Sequence, residues 1–352
     1  MTGVLTFHKC INYGSYWQAR CLVEGLRSFG VDAVILDHNS RRVDLQEWRC
    51  AFQPLLPART ARDDYPRYAS KMRKFFDAFS RLPSSPSFPL EEPAEMEPVQ
   101  IAVVGSDEVW NFRHPWYGGC PIFFGEGLKA GRVVSYGATF GNCTASHRLE
   151  GHWSARLGGF ESISVRDRTS MQIVRDALGY EPRIVLDPCL LFPERIRSPH
   201  DAPTDRPYVA VYGHSFPEWF RTAVTGWARR NSSLVLSVGY RNDWADSQYI
   251  DAGPEEFAAV MAGAQSIATN FFHGCVFALV NERPFACALS SYRSNKIRDL
   301  LTLLGADRHI MAEADPCSAY EKTLGEPIDP AVGQRIAALR HSSAGYLKHA
   351  VL

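Results

Sequence analysis

The strongest constraint on this chain is how abruptly short apolar runs give way to helical patterns. Residues 266–269, Ser-Ile-Ala-Thr, form an apolar run of strand length. Phe272, Val276 and Leu279 or Val280 then recur at helical spacing up to Pro284. The period changes across residues 270–273, leaving no room for a long loop. A strand that turns directly into a helix leaves backbone N–H groups and the positive end of the helix dipole above the strand end, a place suited to a phosphate or carboxylate. His273 stands at that mouth. Its plain alternative is a packed, hydrogen-bonded histidine in a crevice wall.

The same alternation runs through the chain. Residues 4–7 read as a strand, 16–29 as a helix closed by Gly30, and 31–36 as a second strand, an opening βαβ unit. Further strands are expected at 101–104, 133–135, 162–165 and 183–186, then at 208–212, 233–238, 266–269 and 285–289, with helices at 218–230, 254–264 and 294–304. With 352 residues the chain suits two domains. The predicted fold class is α/β. Residues 1–195 form the first domain and 206–310 the second, joined by the polar, proline-bearing stretch 193–207. Within the first domain, 57–99 reads as an insertion. It holds a helix over 64–81 with a solvated basic face (Arg67, Lys71, Arg73, Lys74), then an irregular segment marked by Pro83, Pro86, Pro89, Pro93 and Pro98. Residues 311–352 are a tail whose helical part is expected to pack back on the first domain.

Composition narrows the function. Lys+Arg and Asp+Glu are equal at 38, so nothing favours a nucleic acid or a membrane surface as partner. No apolar run reaches the length of a membrane span, and the first residues do not read as an export signal. Nine scattered cysteines without metal-ligand spacing, and isolated histidines (His8, His38, His114, His214), predict free thiols, no metal and a cytoplasmic protein. Oligomeric state is left open.

Open α/β sheets bind ligands beyond the carboxyl ends of their strands, so the polar residues there are the candidates. The loop after the first strand offers Asn12, Gly14 and Ser15, either as an ordinary helix cap or as backbone N–H groups facing a substrate. After the strand at 101–104 come Gly105-Ser106-Asp107-Glu108-Val109-Trp110-Asn111. Asp107 could orient or deprotonate a hydroxyl or simply cap the next turn, and Trp110 could stack on a sugar ring or pack in the core. Arg166 follows the strand at 162–165, where a cation can meet an anionic ligand.

These stretches, with 134–141 (Val-Ser-Tyr-Gly-Ala-Thr-Phe-Gly), 163–167 (Ile-Ser-Val-Arg-Asp), 185–191 (Val-Leu-Asp-Pro-Cys-Leu-Leu), 269–274 (Thr-Asn-Phe-Phe-His-Gly) and the opening 12–19, resemble the polysaccharide pyruvyl transferase family in order and approximate spacing. The resemblance implies two Rossmann-like, doubly wound domains facing a cleft, as in B-type glycosyltransferases, with the acceptor side in the first domain and the donor side in the second. It implies transfer of pyruvate from phosphoenolpyruvate to hydroxyls of a saccharide or saccharide-like acceptor as a ketal, with no cofactor beyond that donor substrate. His273 matches the family's proposed general acid, while Phe271 stands where the family's segment carries an Arg. Arg166 is then expected to hold the donor's carboxylate or phosphate, helped by Lys296 or Arg293, with Asn270 and Gly274 beside His273. Asp107 is the second catalytic candidate, and Asn12, Gly14, Ser15, Ser106, Trp110 and Asn111 are candidates for acceptor binding. Two other readings are a nucleotide-sugar-dependent glycosyltransferase-like enzyme and a non-catalytic, ligand-binding member of the family.

Overall fold

The computed structural model describes residues 1–144, 146, 148–290 and 294–352, which divide into two compact units. The first comprises Met1–Trp48, Phe79–Arg195 and Arg335–Leu352; the second comprises Arg49–Ala78 and Ile196–Gln334.

In the first unit, β1 (Thr2–Leu5) leads into α1 (Tyr13–Ser28) and then β2 (Ala33–Ile35). With β3 (Val99–Val104) and β4 (Ala130–Ser135) these strands form a parallel sheet in the order β2-β1-β3-β4. α1 forms because Asn12 caps it, and its side chains from Tyr13 to Ala19 are buried, as are Cys21, Leu22, Val23 and Leu26. The sheet core (Leu5, Ala102, Val104) runs into an aromatic cluster holding Phe7, Trp110, Tyr117, Phe123, Phe124 and Phe140. The last helix, Pro330–Val351, joins this unit from Arg335 onward: Ser343 Oγ accepts from Leu186 N (3.0 Å), and Tyr346 Oη donates to Ser135 O (2.9 Å).

The second unit carries a six-stranded parallel sheet. Its strands are β5 (Tyr208–Tyr212), β6 (Leu234–Val238), β7 (Ser247–Tyr249), β8 (Ser266–Thr269), β9 (Phe285–Ala288) and β10 (Ile310–Met311), in the order β7-β6-β5-β8-β9-β10. Helix α2 (Tyr65–Ser80) corrects the expectation of an insertion within the first domain, because its residues up to Ala78 belong to the second unit. Its basic face is not simply solvated. Lys74 Nζ lies 2.8 Å from both carboxylate oxygens of Glu256, Arg67 donates to Gln248 O, and Lys71 is buried in the apolar stripe with Tyr68, Met72 and Phe75. Ahead of the helix, Asp64 pairs with Arg241. These carboxylates and carbonyls hold the helix to the second sheet, which spacing along the helix could not foretell.

All nine cysteines are free. No helix among the described residues is long and apolar enough to cross a membrane.

Two strand-end sites and the family

Each sheet has one point where the strand order reverses. In the first unit it lies between β1 and β3, and in the second between β5 and β8. Ligands of open α/β sheets bind outside the carboxyl ends of the strands at such points. The two are built from opposite materials.

At the first, the loops are tied by a buried charge network. Arg166 donates to Asp187 Oδ2 (2.6 Å), Asp107 Oδ1 (3.1 Å) and Ser106 Oγ (3.2 Å), and its side chain is only 2% exposed. Burial opposes its charge, and Asp187 and Asp107 more than offset this, so its pKa is raised. Asp107 also accepts from Ser15 Oγ (2.8 Å) and Glu108 N (2.9 Å). Its backbone lies in the left-handed region (φ 89°), a strain of about 1–3 kcal/mol that these bonds offset. Thr6 Oγ1 donates to Ser106 O (2.6 Å), and Gln18 Nε2 donates to Thr6 Oγ1 (2.9 Å).

This network corrects several expectations. Arg166 pairs with two carboxylates of its own unit, so it ties loops together. Asp107 orients a hydroxyl, but that of Ser15. The N–H groups of Gly14 and Ser15 donate to Asn12 Oδ1 (2.9 and 3.2 Å), the capping alternative. Ser106 is fully buried inside the network. Trp110 is also fully buried, donating to Phe123 O (2.8 Å) against the rings of Phe124, Phe140 and Phe160, so it is core and offers no face to a sugar. Asn111 is 1% exposed, accepting from Arg113 N (2.9 Å) and donating to Glu108 Oε2 (2.8 Å).

At the second, β8 runs into helix α3 (Phe272–Val280) through Asn270 and Phe271 alone. Thr269 makes the junction. Its Oγ1 donates to Tyr212 O (2.6 Å) and accepts from Phe271 N (3.0 Å). Gly274 is required there, because a Cβ would stand 2.0 Å from that same oxygen. The N-cap residue Phe271 makes no side-chain cap to α3, and its first turn holds no acidic residue, so the positive end of its dipole favours negative charge. His273 is the second residue of the helix and is 8% exposed. Asn270 is 3% exposed; its Nδ2 donates to His214 O (2.7 Å), while its Oδ1 is buried with no partner among the described residues. Phe271 meets the rings of Tyr212 (5.0 Å), His214 (5.4 Å) and Tyr240 (5.4 Å) edge to face. Lys296, early in the helix Ser294–Leu304, reaches to 5.8 Å from the centre of the Phe272 ring. Arg293 lies outside the described residues.

Sequence reasoning missed Asp187, His214 and Lys71. Asp187 had a signal, as a lone acid directly after a short strand. Lys71 had another, as a cation at an inward helix position. His214 showed none.

The two parallel α/β units define the class, and solved structures share it. The UDP-GlcNAc 2-epimerase of Methanocaldococcus jannaschii is similar in fold, with a TM-score of 0.50 and 10% identity over 97% of this chain and 99% of that one. The UDP-GlcNAc 2-epimerase of Neisseria meningitidis gives 0.48 and 7% over 97% and 98%. A heptosyltransferase of E. coli gives 0.42 and 11% over 84% and 90%. At these identities the likeness is one of fold alone. Comparison with curated proteins gives no match. The chain belongs to the polysaccharide pyruvyl transferase family, whose model matches residues 12–292.

Proposed function

We propose that this transferase moves pyruvate from phosphoenolpyruvate to two hydroxyls of a saccharide or saccharide-like acceptor, closing a cyclic ketal. The observation that carries the reading is the place of His273, at the start of α3 where the second sheet reverses its order, in a chain that the family's model matches over residues 12–292. The donor's phosphate or carboxylate would sit at that helix end, with Lys296 nearby.

His273 gives its proton to the donor's methylene carbon, making a methyl group and leaving an oxocarbenium-like centre at the carbon bearing phosphate and carboxylate. One acceptor hydroxyl attacks that centre and loses its proton, which restores His273. Phosphate then leaves as the second hydroxyl closes the ring, carrying off the second hydroxyl's proton. The balance is one donor and one diol to one ketal and one inorganic phosphate, with no redox step. Free cysteines throughout suit a reducing compartment and support a cytoplasmic setting for the reaction.

The first test is the thermal stability of the purified protein against phosphoenolpyruvate, UDP-sugars, GDP-sugars and phosphate. A ligand that binds only the folded chain at a hundred times its dissociation constant adds about 2.7 kcal/mol. A rise with phosphoenolpyruvate, followed by phosphate release and a pyruvylated product on an acceptor panel, is the expected result. A rise with a nucleotide sugar alone overturns the donor.

A further inference from the structure

The loop that leaves β3 does more than bury Trp110. Residues 118–121, Gly-Gly-Cys-Pro, lead it into the short helix Pro121–Phe124. Residues 90–93 and the start of the helix Arg41–Phe52 meet it, and together they line a cavity of about 440 Å³. That lies within the range of about 300–1,000 Å³ usual for small-molecule sites. The whole lining belongs to the first unit and shares no residue with the Arg166 network. Its apolar walls are Leu90, Pro93, Pro121 and Ile122, and Leu90 and Ile122 are part of the unit's core. Glycines let the backbone close on these walls. A Cβ on Gly118 would stand 2.5 Å from Phe112 O, and one on Gly127 would stand 2.6 Å from Pro93 Cγ.

Three charged side chains face the cavity. Glu126 is taken by Arg156. Glu91 Oε1 accepts from Ser40 Oγ, and Arg42 Nη1 donates to Trp116 O (2.8 Å). These bonds hold the two groups in place. They leave Glu91 Oε2 and the other N–H groups of Arg42 with no partner among the described residues, and the two charges do not pair with each other. The Cys120 thiol lies within reach of both. Burial pushes it up to about 11, Glu91 acting the same way and Arg42 the other, so it stays protonated.

With Glu126 offset by Arg156, one cation and one anion remain. A ligand anion would meet Glu91, and a ligand cation would meet Arg42. Neighbouring hydroxyls of a sugar both donate and accept, so they can serve the two at once, while the C–H face of the ring suits Leu90 and the prolines. A zwitterion could also span the charges. Both side chains are solvent-exposed, however, where an ion pair is worth little and a hydrogen bond to a charged group keeps more of its value.

We propose that this cavity is a subsite for a neutral saccharide unit, through which the first unit grips an acceptor of more than one sugar. The inference rests on the reading of the acceptor as a saccharide. The unit held there is bound and not altered, so the subsite acts on affinity and leaves the chemical step alone.

Protein labelled with ¹⁵N-glycine reads the cavity through the amide signals of Gly118, Gly119 and Gly127. The ligands are maltose, cellobiose, lactose and N,N′-diacetylchitobiose, with glucuronate and free alanine as charged controls. At least one disaccharide is expected to shift those three signals, and neither control should. Arg42→Met and Glu91→Gln are each expected to weaken that binding about tenfold. Melting should change little, since both side chains are exposed. Should one variant lose its fold, the other decides. No shift with any disaccharide overturns the proposal, as does unchanged affinity in a folded variant. Alanine or glucuronate shifting the signals as strongly overturns the neutral sugar. In the transfer assay, each variant should raise the acceptor's KM about tenfold and leave kcat as it was. Transfer with unaltered KM sinks the subsite and spares the transferase reading. Disaccharide binding that the variants weaken, in a protein that transfers no pyruvyl group, does the reverse.

Discussion

The two strand-order reversals of this chain occupy equivalent places in their sheets and are filled in contrary ways. The first is closed by its own charges, with Arg166 between Asp107 and Asp187 and hydroxyls from Ser15 and Ser106 completing the set. The second is lined by aromatic rings and an uncapped helix start, with one buried amide oxygen lacking a partner among the described residues. Equivalent topology thus does not dictate the same lining. At the first, opposite charges pair with one another and contribute to stability, although Gln18 Oε1 in the same network is also buried with no partner among the described residues. What distinguishes the second is a helix start whose N-cap residue offers no capping side chain, which favours the approach of negative charge.

That contrast can be broken by substitution on either side. Replacing His273 with Ala should lower the rate of pyruvyl transfer by about 10²–10⁴-fold, the usual worth of a general acid, while thermal melting changes little. A phosphate-release assay reads the first and a melt the second. An unaltered rate would move the acid elsewhere.

Arg166→Met is the counterpart in the first unit. It leaves two buried carboxylates without their cation, so denaturant unfolding should show a loss of about 3–5 kcal/mol. A stable variant whose only defect is weak phosphoenolpyruvate binding would return Arg166 to the donor site and erase the contrast.

Gly274→Ala sharpens the second side. The added methyl meets Thr269 Oγ1, so the junction of β8 and α3 must open, at a cost of about 1–3 kcal/mol. Transfer should fall as well, because His273 is carried on the displaced turn. If stability falls while transfer holds, the placement of that turn does not govern the chemistry.

The smallest effect is expected from Asn12→Ala. Loss of the cap should cost about 1 kcal/mol in a denaturation curve, with the acceptor's KM unchanged. A raised KM would restore the opening loop as an acceptor contact.

Much of the fold was legible in sequence because apolar period reports directly on strand and helix. The β8–α3 turn at Asn270–Phe271 and the helix at Tyr13–Ser28 needed only local spacing and a cap. Strands β7 and β10 were not legible, since the three residues of one and two of the other hold too little pattern to stand out from loop. His273 was marked by chain order alone. The burial of Trp110 and the carboxylate partners of Arg166 were not legible for one reason: an aromatic ring or a guanidinium looks the same in sequence whatever faces it.

The sequence by itself determined the alternating α/β pattern and the strand-to-helix junctions, because these follow from residues a few positions apart. Tertiary structure alone decided that Asp187 neutralises Arg166 from 21 residues away, and that Lys71 lies against Gly239, 168 residues on. Partners so distant in the chain are brought together by the packing of whole elements. A charge is a ligand's or the protein's own according to what that packing places beside it.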